Sequence, residues 1–426
     1  MALVVRRETA AADRAAWQAR FAAIRAASCA LTAPLSPEDQ TVQSMADASP
    51  TKWHLAHVTW FFETFLLVPH LPLYRPYDER FGYLFNSYYE AVGARHPRPE
   101  RGLLSRPGVA EILAYRAHVD AAAARLIAAA PDALWPVLAP LLELGLHHEQ
   151  QHQELILMDI KHALAANPLR PAYRAAQPAG RRAAPPLAWH DFAGGLCEIG
   201  HDGAGFAFDN EGPRHRVFVE PFRLAGRLAT CGEYLGFIED GGYRRPELWL
   251  SEGWAAIGSA GWEAPLYWRR GEAGWRIFTL AGEKRLDPDE PVAHVSHYEA
   301  DAFARWSGGR LPGEAEWEIA AAAQPLSGNL AGRGLFHPEP ARAASGPAQM
   351  IGDLWEWTAS PYAAYPRYRP AAGAIGEYNG KFMSNQMVLR GGAAVTPEGH
   401  IRATYRNFFP PAARWAFGGI RLAMDS

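Results

Sequence analysis

The first part of the chain is best understood from the stretch "LLELGLHHEQQHQELILMDIKHAL", Leu141–Leu164. Apolar residues recur along it at helical spacing, so it predicts one long amphipathic helix. Three histidines and two glutamates stand close together within His147–Glu154. So dense a group of imidazoles in one helix points to a chemical role.

Three more stretches upstream show the same helical spacing: "AAWQARFAAIRAASCAL", "TKWHLAHVTWFFETFLL" and "GVAEILAYRAHVDAAAARLIAAA". Four long amphipathic segments in a row predict a four-helix bundle, which we assign to residues 1–168. The next segment, "ANPLRPAYRAAQPAGRRAAPPLAW", is crowded with Pro, Gly and Arg and has no hydrophobic period. It predicts a linker over residues 169–187.

The remainder of the chain, residues 188–426, has a different texture. Gly and Trp are frequent, and strands are expected at "HRVFVEPFRLA", "RIFTL", "MVLRGG" and "GIRLA". Short helices are expected at "CGEYLGFIEDGG" and "VSHYEADAFARWSG". This pattern predicts an irregular α+β domain.

Composition limits the possible functions. A chain of 426 residues, 49% hydrophobic and 20% charged, is typical of a folded protein with more than one domain. The net charge of −3 gives no reason to expect nucleic acid or an anionic membrane as partner. Three widely spaced cysteines indicate neither a disulfide framework nor a Cys-rich zinc site. Without a recognisable signal peptide or apolar span, we expect a cytoplasmic protein.

The histidines of the long helix predict a metal site. His148 and His152 are four residues apart and share a stripe with Leu141, Gly145 and Leu155, so both should face the bundle interior. Paired inward histidines at this spacing commonly hold a divalent metal. Buried histidines that only hydrogen-bond their neighbours are the alternative.

A third ligand is available in "WHLAH". His57 shares a helical stripe with Trp53 and Trp60, and His54 could also face inward. Three neutral imidazoles would suit Fe(II), Zn or Cu and leave positions open for substrate and O2. The letters H-E-Q-Q-H also match the zinc-protease motif, but "QELILMDIKH" offers no third ligand at the expected short spacing.

Longer motifs carry a family resemblance. "DASPTKWHLAHVTWFFETF", "LFNSYYEAVGARHPRPERGLLSRP" and "HHEQQHQELILMDIKH" resemble the ergothioneine sulfoxide synthases and the closely related selenoneine synthases, non-haem iron enzymes with a DinB-like helical bundle. "PVAHVSHYEADAFARWSGGRLPGEAEWE", "GDLWEWTASPY" and "RNFFPPAARWAFGGIRLA" resemble the formylglycine-generating, C-type-lectin-like fold. The resemblance covers nearly the whole chain.

The resemblance implies an Fe(II) site formed by His57, His148 and His152. It also implies a reaction in which O2 and Fe(II) join C2 of the imidazole of hercynine to a chalcogen atom of a second substrate. Holding the reactants together at one metal removes the entropy of a three-body encounter. The pocket is then expected where the bundle and the lectin-like domain meet.

Other residues take their expected roles from the same resemblance. Gln151 and Asn407 match positions that contact hercynine, and Tyr88 and Tyr89 match a tyrosine pair placed at the iron. One phenol would suffice as proton donor. Packing is the alternative role for such a tyrosine pair.

Departures from the family pattern concern the chalcogen donor. Phe408 and Phe409 stand where the branch that uses γ-glutamylcysteine has an Asp, so that donor is not expected. "RGGAAVTP" and "RWAFGGIRLA" carry Ala or Gly where cysteine-using synthases have larger or polar residues, Ala416 among them. These changes indicate either loop drift or a pocket enlarged for a selenosugar. Arg414 could meet a substrate carboxylate or serve the structure.

Two near-equal functions result: C–Se bond formation with a selenosugar, and C–S bond formation with cysteine. Formylglycine generation is excluded because no cysteine follows Cys231. Two further classes are kept, a DinB-type thiol-dependent metal transferase that needs no O2, and a binding module without catalysis.

Overall fold

The computed structural model describes residues 2–177 and 182–426, with side chains described from residue 13 onward. The chain divides into two compact units, Met1–Ala166 and Asn167–Ser426. Among the described residues, no helix combines the length and apolar character that a membrane span requires.

The first unit is helical. Its helices are α1 (Ala2–Thr32), α2 (Thr51–Phe62), α3 (Val68–His70), α4 (Phe81–Phe85), α5 (Val109–Ala129) and α6 (Trp135–Ala166). A π-helical turn, Glu63–Leu67, joins α2 to α3. Helices α1 and α2 each contact both α5 and α6. The predicted four-helix bundle is therefore confirmed, and α6 contains the whole histidine-rich stretch.

Helix α2 is buried on every side. All its residues from Thr51 to Phe62 are buried, so the amphipathic pattern predicted for this segment is wrong: the helix has no solvent-exposed polar face. Even Lys52 is accommodated, because its Nζ donates to the backbone oxygens of Ser105 (3.2 Å) and Pro107 (3.1 Å). The helix thus carries its histidines into the interior of the bundle.

The second unit is a mixture of short strands and short helices. Its helices are α7 (Cys231–Glu239), α8 (Ser251–Ala260), α9 (His297–Trp306), α10 (Glu314–Ala321) and α11 (Glu377–Gly380). Its strands are β1 (Trp189–Phe192), β2 (Gly195–Ile199), β3 (His215–Val219), β4 (Phe222–Ala225), β5 (Trp268–Gly271), β6 (Gly274–Thr279), β7 (Gly282–Arg285), β8 (Trp355–Pro361), β9 (Met387–Arg390), β10 (Asn407–Phe409), β11 (Gly418–Gly419) and β12 (Ala423–Asp425). The predicted α+β class is confirmed.

In the described residues these strands form four sheets, ordered β1-β4-β12, β10-β9-β8-β11, β2-β3 and β5-β6-β7. Helix α7 begins with a capping box between Thr230 and Glu233, and α9 with one between Ser296 and Glu299. Each box satisfies backbone N–H groups that the first helical turn leaves unpaired. Both predicted helices are confirmed.

The single strand expected at "GIRLA" is wrong. The chain leaves β11 at Gly419 and re-enters a strand only at Ala423, in a different sheet. Between them, the fully buried Arg421 makes a two-pronged ion pair with Glu356, with N–O distances of 2.7 and 2.8 Å. Burying a guanidinium requires such a partner, and the partner lies 65 residues away in sequence.

The segment predicted as a linker has no helix or regular strand through most of its described length, although β1 begins just after it. It nevertheless lies against the second unit. The backbone N–H of the buried Tyr173 donates to the oxygen of Leu280 (2.9 Å), and Arg174 lies 3.8 Å over the ring of Phe336. Residues 178–181 of this segment lie outside the described residues.

Candidate metal centre

The ring of His57 is fixed on three sides. It stacks between Trp53 (centroids 4.8 Å apart, planes 10° apart) and Trp60 (5.5 Å, 15°). Helical spacing places these three rings on one face of α2. Nδ1 of His57 lies 2.6 Å from the backbone oxygen of Phe85. Because a carbonyl only accepts, Nδ1 carries the proton and Nε2 keeps its lone pair.

His148 and His152 bring α6 to the same point. Their ring centroids are 4.7 Å apart, and that of His57 lies 5.0 Å from His148 and 4.8 Å from His152. One ligating nitrogen from each ring lies within 4.8 Å of the other two. The structure therefore brings the three predicted ligands together.

All three imidazoles are held in the neutral form. Burial lowers the pKa of His57 and His152 well below its ordinary value, and neighbouring histidines lower it further. Burial lowers the pKa of His148 to about 4. Neutral imidazoles are the form that binds a metal, so the cluster has three lone pairs available near neutral pH.

Arg101 adds a buried positive charge to these surroundings. Its guanidinium lies 3.4 Å over the ring of Trp53 and donates to the hydroxyls of Ser49 (3.0 Å) and Ser87 (3.1 Å). Burial lowers the pKa of Arg101 to about 9. The charge contributes to the lowered pKa of His57 and His152. Arg101 is not among the site residues predicted from the sequence.

The cluster fits a divalent metal. Nδ1 of His148 is buried and has no hydrogen-bond partner within the described part of the chain. An unpaired buried polar atom costs free energy unless a ligand compensates it. Three neutral imidazoles are a donor set that suits Fe(II), and His57, His148 and His152 would hold it.

Behind His152 stand two further side chains. Nδ1 of His152 lies 2.9 Å from Nδ1 of His54, and Nε2 of His54 lies 3.0 Å from Oδ2 of Asp159. All three are buried. His54 is predicted from the sequence as a possible inward residue, whereas Asp159 is not among the predicted site residues. A signal was available, because Asp159 follows His152 by seven residues on the same helical stripe.

Glu149, next to His148, faces another way. Its carboxylate is fully buried and accepts from Arg25 (2.8 Å), Ser28 (2.6 Å) and Arg116. Arg25 also donates to Thr59 on α2 (3.0 Å), so this Glu149 cluster joins α1, α2, α5 and α6. Burial alone would raise the pKa of Glu149, but the charges of Arg116 and Arg25 outweigh it and lower the pKa to about 2.

The tyrosine pair divides between two environments. Tyr89 is buried, and its ring lies 5.6 Å from that of Trp60 and 5.1 Å from that of Phe65. It is thus one aromatic contact away from His57. The hydroxyl of the half-buried Tyr88 accepts from Nη1 of Arg98 at 2.7 Å. Gln151 is half-buried on α6, immediately before His152.

The expected substrate residues of the second unit lie on or after strand β10. Asn407, Phe408 and Phe409 are half-buried and pair with β9, with Asn407 opposite Leu389. The ring of Phe408 stacks on Tyr362, with centroids 4.1 Å apart. Oδ1 of Asn407 accepts from the backbone N–H of Phe408 at 2.9 Å.

Arg414 and Ala416 lie deeper in that unit. Arg414 donates to Glu299 at 2.8 Å and lies 4.2 Å over the ring of Trp262. Ala416 is 2% exposed, and a Cβ at Gly418 would lie 3.0 Å from Nε1 of Trp357. Arg414 thus has a structural partner, and its role in substrate binding stays a prediction, as does that of Ala416.

Family models match both units. The model described as the DinB superfamily matches residues 20–156, and that of the sulfatase-modifying factor enzyme 1-like domain matches residues 191–333 and 330–426. The three clustered histidines lie inside the first of these ranges.

Curated relatives match both units together. The chain is 35% identical over 409 residues to hercynine oxygenase of Mycobacterium tuberculosis, covering 88% of this chain and 91% of the relative. It is 33% identical over 411 residues to hercynine oxygenase of Mycolicibacterium thermoresistibile, covering 88% and 87%. Ergothioneine biosynthesis protein 1 of Schizosaccharomyces pombe is 27% identical over 233 residues, covering 52% of this chain and 28% of the relative.

Proposed function

The chain belongs to the hercynine oxygenase family, and we propose that it is an oxidoreductase that uses Fe(II) and O2 to form a carbon–chalcogen bond on hercynine. The bond forms at C2 of the imidazole ring. The donor is cysteine, as in ergothioneine sulfoxide synthesis, or a selenosugar, as in selenoneine synthesis. The observation that carries the proposal is the cluster of three buried, neutral histidines.

The choice of Fe(II) rests on the family, and the donor set is compatible with it. Three imidazoles without a carboxylate leave coordination positions unfilled, and when bound, Fe(II) supplies redox chemistry and open positions for the reactants. With cysteine the overall change is balanced: C2 and the thiol each lose a hydrogen, one oxygen atom joins sulfur, and the other leaves as water.

The chain's own residues would bind and orient the substrates, and one of them would move a proton. Tyr88 or Tyr89 is the proposed proton donor. Arg98 donates to the hydroxyl oxygen of Tyr88 at 2.7 Å, and this hydrogen bond fixes the position of the phenol. Tyr89 instead lies in the aromatic cluster beside Trp60. Y88F and Y89F variants, compared for turnover and product distribution, identify the donor, whose loss should slow turnover by roughly 10²- to 10⁴-fold.

The remaining residues are proposed to orient the substrates. Gln151 and Asn407 would contact hercynine, while Phe408, Phe409, Arg414 and Ala416 would contact the donor. The aromatic surface of strand β10 carries no carboxylate, which supports a donor other than γ-glutamylcysteine. The absence of nucleic acid and membrane partners and the cytoplasmic location stay predictions.

A donor competition tests the function. The protein is loaded with Fe(II) without oxygen and then given hercynine, O2, cysteine, γ-glutamylcysteine and a 1-selenosugar together, and mass spectrometry identifies the adduct. A hercynine–cysteine sulfoxide or a hercynine–selenosugar adduct supports the proposal and selects the donor. A γ-glutamylcysteine adduct contradicts the expected donors.

Two variants control this experiment. H148L removes a proposed ligand and should abolish the adduct. H147F changes a buried histidine of the same helix that lies outside the cluster, with Nε2 3.2 Å from Arg20, and should preserve it. If the wild type binds iron but forms no adduct, the oxidative function is wrong and the O2-independent transferase is favoured.

A further inference from the structure

A short chain of hydrogen bonds runs behind His152, away from the other two clustered histidines. Oδ2 of Asp159 accepts the backbone N–H of Ser49 at 2.8 Å and faces Nε2 of His54 at 3.0 Å. Nδ1 of His54 faces Nδ1 of His152 at 2.9 Å. The side chains of His54 and Asp159 are only 3% and 5% exposed. This relay connects α2 to two positions of α6, His152 and Asp159, that lie about two helical turns apart.

The protons of the relay can be assigned by starting from the carboxylate of Asp159 at its end. A carboxylate only accepts, so Nε2 of His54 carries a proton. In a neutral His54, Nδ1 then keeps its lone pair and accepts from Nδ1–H of His152. Nε2 of His152 is left as a lone pair, as a ligand nitrogen must be.

We propose that Asp159 and His54 are positioning residues that hold His152 as its Nδ1–H tautomer and present its Nε2 lone pair to the metal. The inference rests on the proposed function, because it concerns the same metal centre. It adds two residues that touch neither substrate nor metal but act through a ligand.

Comparison of the three histidines supports this role. The backbone oxygen of Phe85 already fixes the tautomer of His57. His148 has no partner at Nδ1 within the described residues. His152 is the one whose tautomer depends on side chains, and a carboxylate–histidine pair behind a ligand also raises the ligand's basicity and fixes its ring.

The rival arrangement is specific. A doubly protonated His54, paired with Asp159, would donate from both nitrogens. Nδ1 of His152 would then accept, and its proton would move to Nε2, where it blocks metal binding. The two arrangements differ in the position of one proton on His152, which can be measured directly.

Imidazole nitrogen shifts of the metal-free wild type make this measurement. With ¹⁵N-labelled histidine, and with the H152N spectrum for assignment, the inference predicts that His152 is the Nδ1–H tautomer. An Nε2–H tautomer overturns it. Because the tautomer is read from the wild-type spectrum, and H152N serves only for assignment, a folding defect of H54F cannot produce the result.

Metal affinity supplies the second readout. Co(II) competition against a chelator is compared for the wild type, H54F, H54N and H147F. H54F removes the acceptor and should weaken Co(II) binding roughly 10- to 100-fold. H54N places an amide oxygen near the former Nδ1 and should restore most of the affinity, whereas H147F should match the wild type. Equal affinity of H54F and H147F overturns the inference.

The outcomes separate this inference from the proposed function. If H54F keeps its Co(II) affinity while the wild type forms the hercynine adduct, the relay is wrong and the function stands. If H54F binds weakly and the iron-loaded wild type forms no adduct, the relay stands and the function is wrong. A wild type that binds no Co(II) contradicts both.

Discussion

Two faces of helix α6 each carry a buried polar group, and the two groups differ in whether they have hydrogen-bond partners. On one face, Glu149 is surrounded by Arg25, Arg116 and Ser28, and its charge is fully compensated. On the other face, the neighbouring residue His148 is also buried, and its Nδ1 has no hydrogen-bond partner in the described part of the chain. The first arrangement holds four helices together. In the second, the unpaired Nδ1 lowers the stability, and a bound ligand would account for it.

The largest change in the free energy of unfolding should come from removing the charge of Glu149. E149Q leaves two buried guanidinium groups facing a neutral amide, and we expect the free energy of unfolding to fall by about 3–5 kcal/mol. Urea unfolding followed by circular dichroism measures the loss. Co(II) affinity of the folded variant should stay within a few-fold of the wild type. A loss below about 1 kcal/mol would show that the cluster is not what holds the helices.

Substitution of His148 should have the reverse effect, with little change in stability and a large loss of metal affinity. H148L replaces an unpartnered polar ring with an apolar side chain, so the metal-free protein should unfold within about 1 kcal/mol of the wild type. Its Co(II) affinity should fall by more than the roughly 100-fold that indirect changes around a ligand cause. Both are measured on one preparation by urea unfolding and chelator competition. Strong destabilisation of the metal-free form would contradict the contrast between the faces.

A smaller change in the free energy of unfolding tests how much Ser28 adds to the stabilisation of the Glu149 carboxylate. S28A removes the hydroxyl that donates to its carboxylate at 2.6 Å. Hydrogen bonds to charged groups contribute about 1.5–3 kcal/mol, and we expect a loss near the lower end because two guanidinium groups remain. The double variant S28A/E149Q should lose clearly less than the sum of the two single losses. Strict additivity would mean that Ser28 acts independently of the cluster.

The smallest effect separates burial from charge pairing. Arg14 and Asp132 form an ion pair at 2.7 Å in the same bundle, but the Asp132 side chain is 81% exposed. D132N should change the free energy of unfolding by less than about 1 kcal/mol, and added salt should reduce that change further, because salt screens an exposed ion pair. An effect as large as that of E149Q would show that pairing itself, not burial, decides the stability.

The sequence predicted one face of α6 better than the other. The i,i+4 spacing of His148 and His152 and the stripe through His57 need only helical geometry, and the structure brings these rings together. The partners of Glu149 could not be predicted, because Arg25 and Arg116 lie 124 and 33 residues away. The contact of His54 with His152 depends likewise on how α2 and α6 pack, which no local pattern specifies.

The second unit shows the same limit. Its class was predicted from short apolar segments and frequent Gly and Trp, which are local features of the sequence. At the break in "GIRLA", the buried Arg421 pairs with Glu356, a distant carboxylate that no local pattern indicates. The expected substrate residues of strand β10 were placed by resemblance, and their roles stay predictions.

The clamp of Trp53 and Trp60 around His57 has a consequence for the entropy of metal binding. A free histidine loses rotational freedom when it becomes a ligand, and that loss opposes binding. The ring of His57 has already lost it during folding, because two indoles and the oxygen of Phe85 fix its orientation. The ordering is thus completed by the folded chain, before any ion arrives.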